Sequence, residues 1–154
     1  MNTGCFICHK HSLGGDAVGM VFDDDLVYAG HILPPDLEDV YLGYLIVEPK
    51  RHAAGWGHLT DDEASAIGLL TNDLGRALRE VAGAEHIYSR VLGDVVPHLH
   101  VHLVPRYPNT PREYWGVDVD DWPDAPSGGV PEIEELCERV RRGLASIRER
   151  RIGS

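Results

Sequence analysis

The chain has 154 residues and a formal charge of −11, from 14 Lys and Arg against 25 Asp and Glu. The length suits one domain spanning 1–154 that buries ~70% of the surface its unfolded chain exposes, and 43% hydrophobic with 25% charged residues is a globular composition. The acidic balance argues against a nucleic acid polymer as partner, no run nears the 18 or so apolar residues of a membrane helix, and residues 1–10 hold no apolar signal region, which leads us to expect a cytoplasmic protein whose three cysteines form no disulfide framework.

In chain order, residues 1–16 are rich in Cys, His and Gly and read as a knuckle or loop. Residues 18–22 and 26–29 are short apolar runs separated by Asp23, Asp24 and Asp25, a hairpin pattern. Pro34 and Pro35 open a loop, and 41–47 is a β-rich run ending at Pro49. Thr60 followed by Glu63 is a capping-box signature. Behind it Ile67, Leu70, Leu74, Leu78 and Val81 recur at spacings of three and four, which predicts an amphipathic helix ending near Gly83. Residues 86–92 read as a strand, Gly93 and Asp94 as a turn, and 101–104 as the next strand. Residues 107–131 form a proline-rich, irregular acidic segment with Tyr114, Trp115 and Trp122 as candidate anchors. A last helix is predicted over 132–150, with Ile133, Leu136, Cys137, Val140, Leu144 and Ile147 on one stripe and arginines at its C-terminal end. Strands and helices mix without βαβ alternation, which indicates an α+β fold with an antiparallel sheet.

The informative segment is His98-Leu99-His100-Val101-His102-Leu103-Val104-Pro105-Arg106. In a strand, alternate side chains share a face. The three imidazoles are then expected to point one way and Leu99, Val101 and Leu103 the other. Such a face gains no apolar burial; either it is a polar strand face that happens to use histidine, or it has a chemical reason. Two are open: ligation of one metal ion by alternating histidines, and nucleophilic catalysis by a neutral imidazole whose neighbours set its tautomer and charge.

The run resembles the signature of the histidine triad (HIT) superfamily of nucleotide hydrolases and transferases. The surroundings resemble it too: Gly93-Asp94-Val95-Val96-Pro97 leads in, Pro105-Arg106 leads out, and Gly43-Tyr44-Leu45-Ile46-Val47-Glu48-Pro49-Lys50-Arg51-His52 is similar to the family's upstream strand and its Pro-Lys-x-His end. Cys5-x-x-Cys8 resembles the N-terminal knuckle of zinc-bearing members. The resemblance implies a HIT-like fold, an antiparallel sheet of about five strands with two main helices, in a protein that forms a homodimer. It further implies catalysis by the triad His98, His100 and His102. His100 would be the nucleophile that attacks an α-phosphorus and carries the nucleotidyl group as a phosphohistidine, and His102 a phosphate contact. Dinucleoside polyphosphates or related nucleotide conjugates are the expected substrates. A phosphorylase using the same intermediate, or a zinc-stabilised nucleotide-binding module without turnover, are the alternatives.

Three positions at two places depart from the family pattern. Tyr44 stands where many members carry a histidine, and Asp94 with Val95 where many carry an amide and a hydroxyl. Tyr44, Asp94 and Val95 are therefore the candidate substrate-binding positions, and the altered donors argue against phosphoramidates as preferred substrates. Cys5 and Cys8 are two ligands short of a four-coordinate structural zinc site. The resemblance supplies His52 and His98, while His9 and His11 are nearer rivals in sequence. Cys5-x-x-Cys8-His9 also matches a haem-attachment pattern, which the missing export signal makes unattractive. His31, His58 and His86 read as ordinary surface or loop residues. Lys50, Arg51, Arg106 and Arg112 are the cations nearest the motifs.

Overall fold

The computed structural model describes residues 4–13, 17–34 and 38–153. Pro35 and residues 1–3 and 14–16 of the expected knuckle lie outside them. Helix α1 (Phe6–Leu13) opens the described chain. It replaces the expected loop: an eight-residue helix is marginal alone in water, and this one forms on tertiary contacts. Ile7 and Cys8 are buried, packed with Val96, and Lys10 and His11 both bond the buried carboxylate of Glu48.

The hairpin follows as β1 (Met20–Asp23) and β2 (Val27–His31), turned by Asp24, whose Oδ1 accepts from the N–H groups of Leu26 and Val27 at 2.8 Å each. The run at 41–47 is two strands, not one. The short β3 (Val40–Tyr41) is separated from β4 (Leu45–Pro49) by a turn in which Gly43 has φ +86°. A Cβ there would lie 2.5 Å from the Tyr107 hydroxyl and 2.9 Å from Pro105 Cγ, so close packing forces both the turn and the glycine.

Helix α2 (Asp61–Ala82) has the predicted capping box at Thr60 and Glu63 and ends on Gly83 in the left-handed conformation. Strands β5 (His86–Arg90) and β6 (Val101–Arg106) follow. The acidic segment contains two single 3₁₀ turns and β7 (Ser127–Gly128), which pairs with β3. Its buried anchors are Tyr107 and Val119. Trp115 serves differently, as an indole against which Arg106 stacks. Helix α3 (Val130–Ile152) starts two residues earlier than expected, with Pro131 in its first turn, where the missing N–H leaves no bond unmade.

The main sheet runs β1-β2-β4-β6-β5, every neighbour antiparallel. This is the expected α+β architecture, with three helices. One face carries Val27, Ala29, Leu45, Val47, Val101 and Leu103 against the apolar stripes of α2 and α3. The opposite face holds a smaller cluster of Tyr41, Tyr44, Val104, Tyr107 and Val119, partly roofed by the acidic segment. With both long helices on the first face, the second is left for polar chemistry. Among the described residues no helix is long and apolar enough to cross a membrane.

Candidate active site and metal centre

The three histidines do not share one strand face. Strand β6 starts at Val101; Pro97 has no N–H to donate, and the Leu99 N–H goes to the Ala53 carbonyl at 2.6 Å. The bend turns His98 away from its two companions. Its ring is fully buried and meets Cys5 Sγ at 3.4 Å and Cys8 Sγ at 3.5 Å through Nδ1. His52 Nδ1 lies 3.5 Å from Cys8 Sγ. The ligand atoms of Cys5, Cys8, His52 and His98 all fall within 4.8 Å of one another. Tetrahedral zinc, with Zn–S about 2.3 Å and Zn–N about 2.0–2.1 Å, separates sulfur and nitrogen ligands by roughly 3.5–3.6 Å. The residues therefore fit such an ion. The tautomer fits as well: His98 Nε2 donates to the Pro49 carbonyl at 2.8 Å, which leaves Nδ1 its lone pair. The rivals are elsewhere, His11 on Glu48 at 2.8 Å and His9 exposed.

His100 and His102 stand on the second sheet face with ring centroids 4.9 Å apart. His100 Nδ1 is 2.6 Å from the His98 carbonyl. A carbonyl only accepts, so Nδ1 carries a proton, and in the neutral ring Nε2 keeps its lone pair. His102 lies opposite Ile46 on β4 and opposite Arg90 on β5. Tyr44, two residues before Ile46 and therefore on the same face, reaches it diagonally, with its hydroxyl 2.8 Å from His102 Nδ1. Arg90 Nη2 donates to the same hydroxyl at 3.0 Å, while Asp120 holds that nitrogen at 3.0 and 3.1 Å and the Val117 carbonyl accepts from Nη1 at 2.5 Å. Burial pushes the pKa of His102 down to about 4, with His100 and Arg90 acting in the same direction and Asp120 against them.

The structure brings Tyr44, His100 and His102 together. Asp94 and Val95 sit on an exposed bend, Val95 92% exposed. His31 is a buried structural residue, not a surface one: its Nδ1 donates to the Ile32 carbonyl at 2.6 Å and its Nε2 accepts the Gly43 N–H at 2.8 Å. The cations singled out from the motifs are occupied elsewhere, Lys50 with Asp23, Arg51 with Glu63, Arg106 and Arg112 against Trp115. Among the described residues, the cation that reaches the His100–His102 pair is Arg90, through Tyr44. Its only signal in the sequence is its place at the end of a predicted strand, because the register that sets it opposite His102 is not written locally.

A five-stranded antiparallel sheet that presents a backbone-oriented imidazole pair beside a Cys₂His₂ cluster defines a histidine triad protein. The chain belongs to the HIT domain family, whose model matches residues 18–109. It is 29% identical over 106 residues to a fission yeast protein named adenosine 5′-monophosphoramidase, covering 68% of this chain and 75% of that protein. Among solved structures it is similar to a zinc-bound histidine triad family protein from Mycobacterium smegmatis (20% identity, 95% and 96% of the two chains, TM-score 0.68). A histidine triad nucleotide-binding protein from Sulfolobus tokodaii is comparably similar (19% identity, 93% of each chain, TM-score 0.67).

Proposed function

We propose that the protein is a nucleotide hydrolase or nucleotidyltransferase that cleaves at an α-phosphate through a covalent nucleotidyl-histidine on His100. The observation that carries this reading is the 2.6 Å bond from His100 Nδ1 to the His98 carbonyl, which in the neutral ring keeps the proton on Nδ1 and the lone pair on Nε2 for attack. Its lone pair forms the phosphorus–nitrogen bond while the bond to the leaving group breaks, the electron pair departing on the leaving atom. Water then attacks the same phosphorus, the phosphorus–nitrogen bond breaks back to His100, and a nucleoside monophosphate is released. His102 adjoins His100 and supplies a hydrogen bond to the phosphoryl or leaving-group oxygen. His98 contributes its carbonyl, since both its ring nitrogens are engaged elsewhere.

Zinc would be held by Cys5, Cys8, His52 and His98. There it supplies structure: it would tie α1 to the loop after β4 and to the bend before β6, and so hold the carbonyl that orients His100. The zinc-bound state of the mycobacterial neighbour supports this reading. As substrates, dinucleoside polyphosphates rank ahead of phosphoramidates, because Tyr44 replaces the family's upstream histidine and Asp94 its usual amide.

The test is turnover of dinucleoside polyphosphates by the 154-residue chain together with His100→Ala. The variant is expected to fold, bind nucleotide and lose turnover, while an acid-free quench of the wild type traps label on the peptide holding residues 98–102. Wild-type turnover in His100→Ala, or label on Asp94, refutes the mechanism.

A further inference from the structure

We infer that Arg90, anchored by Asp120 and the Val117 carbonyl, is a positioning residue that acts through the Tyr44 hydroxyl to fix His102 as the tautomer carrying its proton on Nε2, facing the nucleotide. The kinetic part rests on the function proposed above; the tautomer does not.

The argument is one of donors and acceptors. A guanidinium has no acceptor, so at 3.0 Å from Arg90 Nη2 the Tyr44 oxygen must accept. The phenol oxygen could accept a second bond, but its own proton then needs an acceptor, and of its two partners only His102 Nδ1, 2.8 Å away, can accept; the arrangement that satisfies every group has Tyr44 donating to that nitrogen. A neutral ring whose Nδ1 accepts carries its hydrogen on Nε2. Burial, His100 and Arg90 all disfavour the charged ring and only Asp120 favours it, so at neutral pH the tautomer decides what His102 can do. His102 Nε2 is buried and has no hydrogen-bond partner among the described residues. A buried donor left so is costly, which marks the place where a ligand oxygen would accept.

The anchoring comes from outside the family-matched region of 18–109, since Val117 and Asp120 belong to the acidic segment that follows it. That segment therefore does more than cover the second sheet face. It pins the side chain that orders the hydroxyl standing where the family pattern has an imidazole.

Long-range proton–nitrogen correlation spectra of the imidazole rings, on the zinc-loaded 154-residue chain at about pH 7, read the tautomer directly. The expected result is His102 protonated at Nε2 in the wild type and a mixture of tautomers in Arg90→Met and Tyr44→Phe. Asp120→Asn, which keeps the shape of the anchor, should give a smaller shift in the same direction. In turnover, Arg90→Met should lower kcat by roughly tenfold to a hundredfold with less change in KM. The acid limb of its pH profile should move to higher pH because a cation near the ring is gone, and Arg90→Lys should recover part of both effects. A proton on His102 Nδ1 in the wild type, or an unchanged tautomer in a folded Arg90→Met, overturns the inference. If the wild type cleaves no nucleotide, the proposed function fails, and the spectra still decide the tautomer.

Discussion

Replacing Gly43 by Ala probes the joint between fold and site. Gly43 has φ +86°, and its N–H donates to the buried His31 at 2.8 Å. A left-handed backbone costs an L-residue about 1–2 kcal/mol. The added Cβ would meet the Tyr107 hydroxyl at 2.5 Å and Pro105 Cγ at 2.9 Å. Neither can yield cheaply: the hydroxyl is held by the Leu42 carbonyl at 2.8 Å, and the proline ring is rigid and buried in β6. Overpacking of this kind adds about 1–3 kcal/mol. The sum, about 2–5 kcal/mol, corresponds to a Tm lowered by roughly 4–20 °C for a domain of this size. The next residue is Tyr44, so a shift of the turn also pulls its hydroxyl from His102, and kcat should fall with stability. Urea unfolding at saturating zinc gives the free energy without a difference in metal occupancy. A destabilisation below about 1 kcal/mol with unchanged kcat would refute both the packing and its link to the site.

Three further outcomes are expected. Purified protein should hold one zinc per chain, chelation should lower its Tm, and Cys8→Ser should weaken retention of the metal; protein made with zinc present but containing none contradicts this. Side-by-side kcat/KM measurements should favour a dinucleoside polyphosphate over an adenosine phosphoramidate, and the reverse order rejects the roles given to Tyr44 and Asp94. Because the folded-state pKa of His102 is lowered from 6.5 to about 4, the unfolded chain binds the proton first, so stability is lost as pH falls from 6.5 towards 4. Allowing for solvent screening at a half-exposed ring, this residue should account for about 1 kcal/mol between pH 6.5 and 5. Urea midpoints of the wild type and His102→Gln should therefore converge as pH falls, and parallel curves exclude the assignment.

The elements legible in advance were those with local causes. Thr60, Glu63 and Gly83 bound α2 because capping is settled within one turn of chain. The stripe from Ile133 to Ile147 identified α3 because helical periodicity repeats every three or four residues. Helix α1 was missed because nothing within its eight residues sustains it; Glu48, thirty-seven residues after His11, does. The strand at 41–47 was joined in error because β propensity runs through Gly43, and only Tyr107 and Pro105, far along the chain, make it a turn.

The sequence was enough to identify the triad and its family, because those residues are contiguous and their order is a pattern. It could not say that one imidazole turns into a cysteine cluster while the other two face the opposite side of the sheet, nor that Arg90 and Asp120 join them. Those facts depend on the register of β4, β5 and β6 and on where the acidic segment returns over the sheet. Register is decided by which face packs on α2 and α3, and a slip of one residue would reverse every side chain. The partners of His102 were therefore settled by the burial of Leu45, Val47, Val101 and Leu103 on the other face of the same strands.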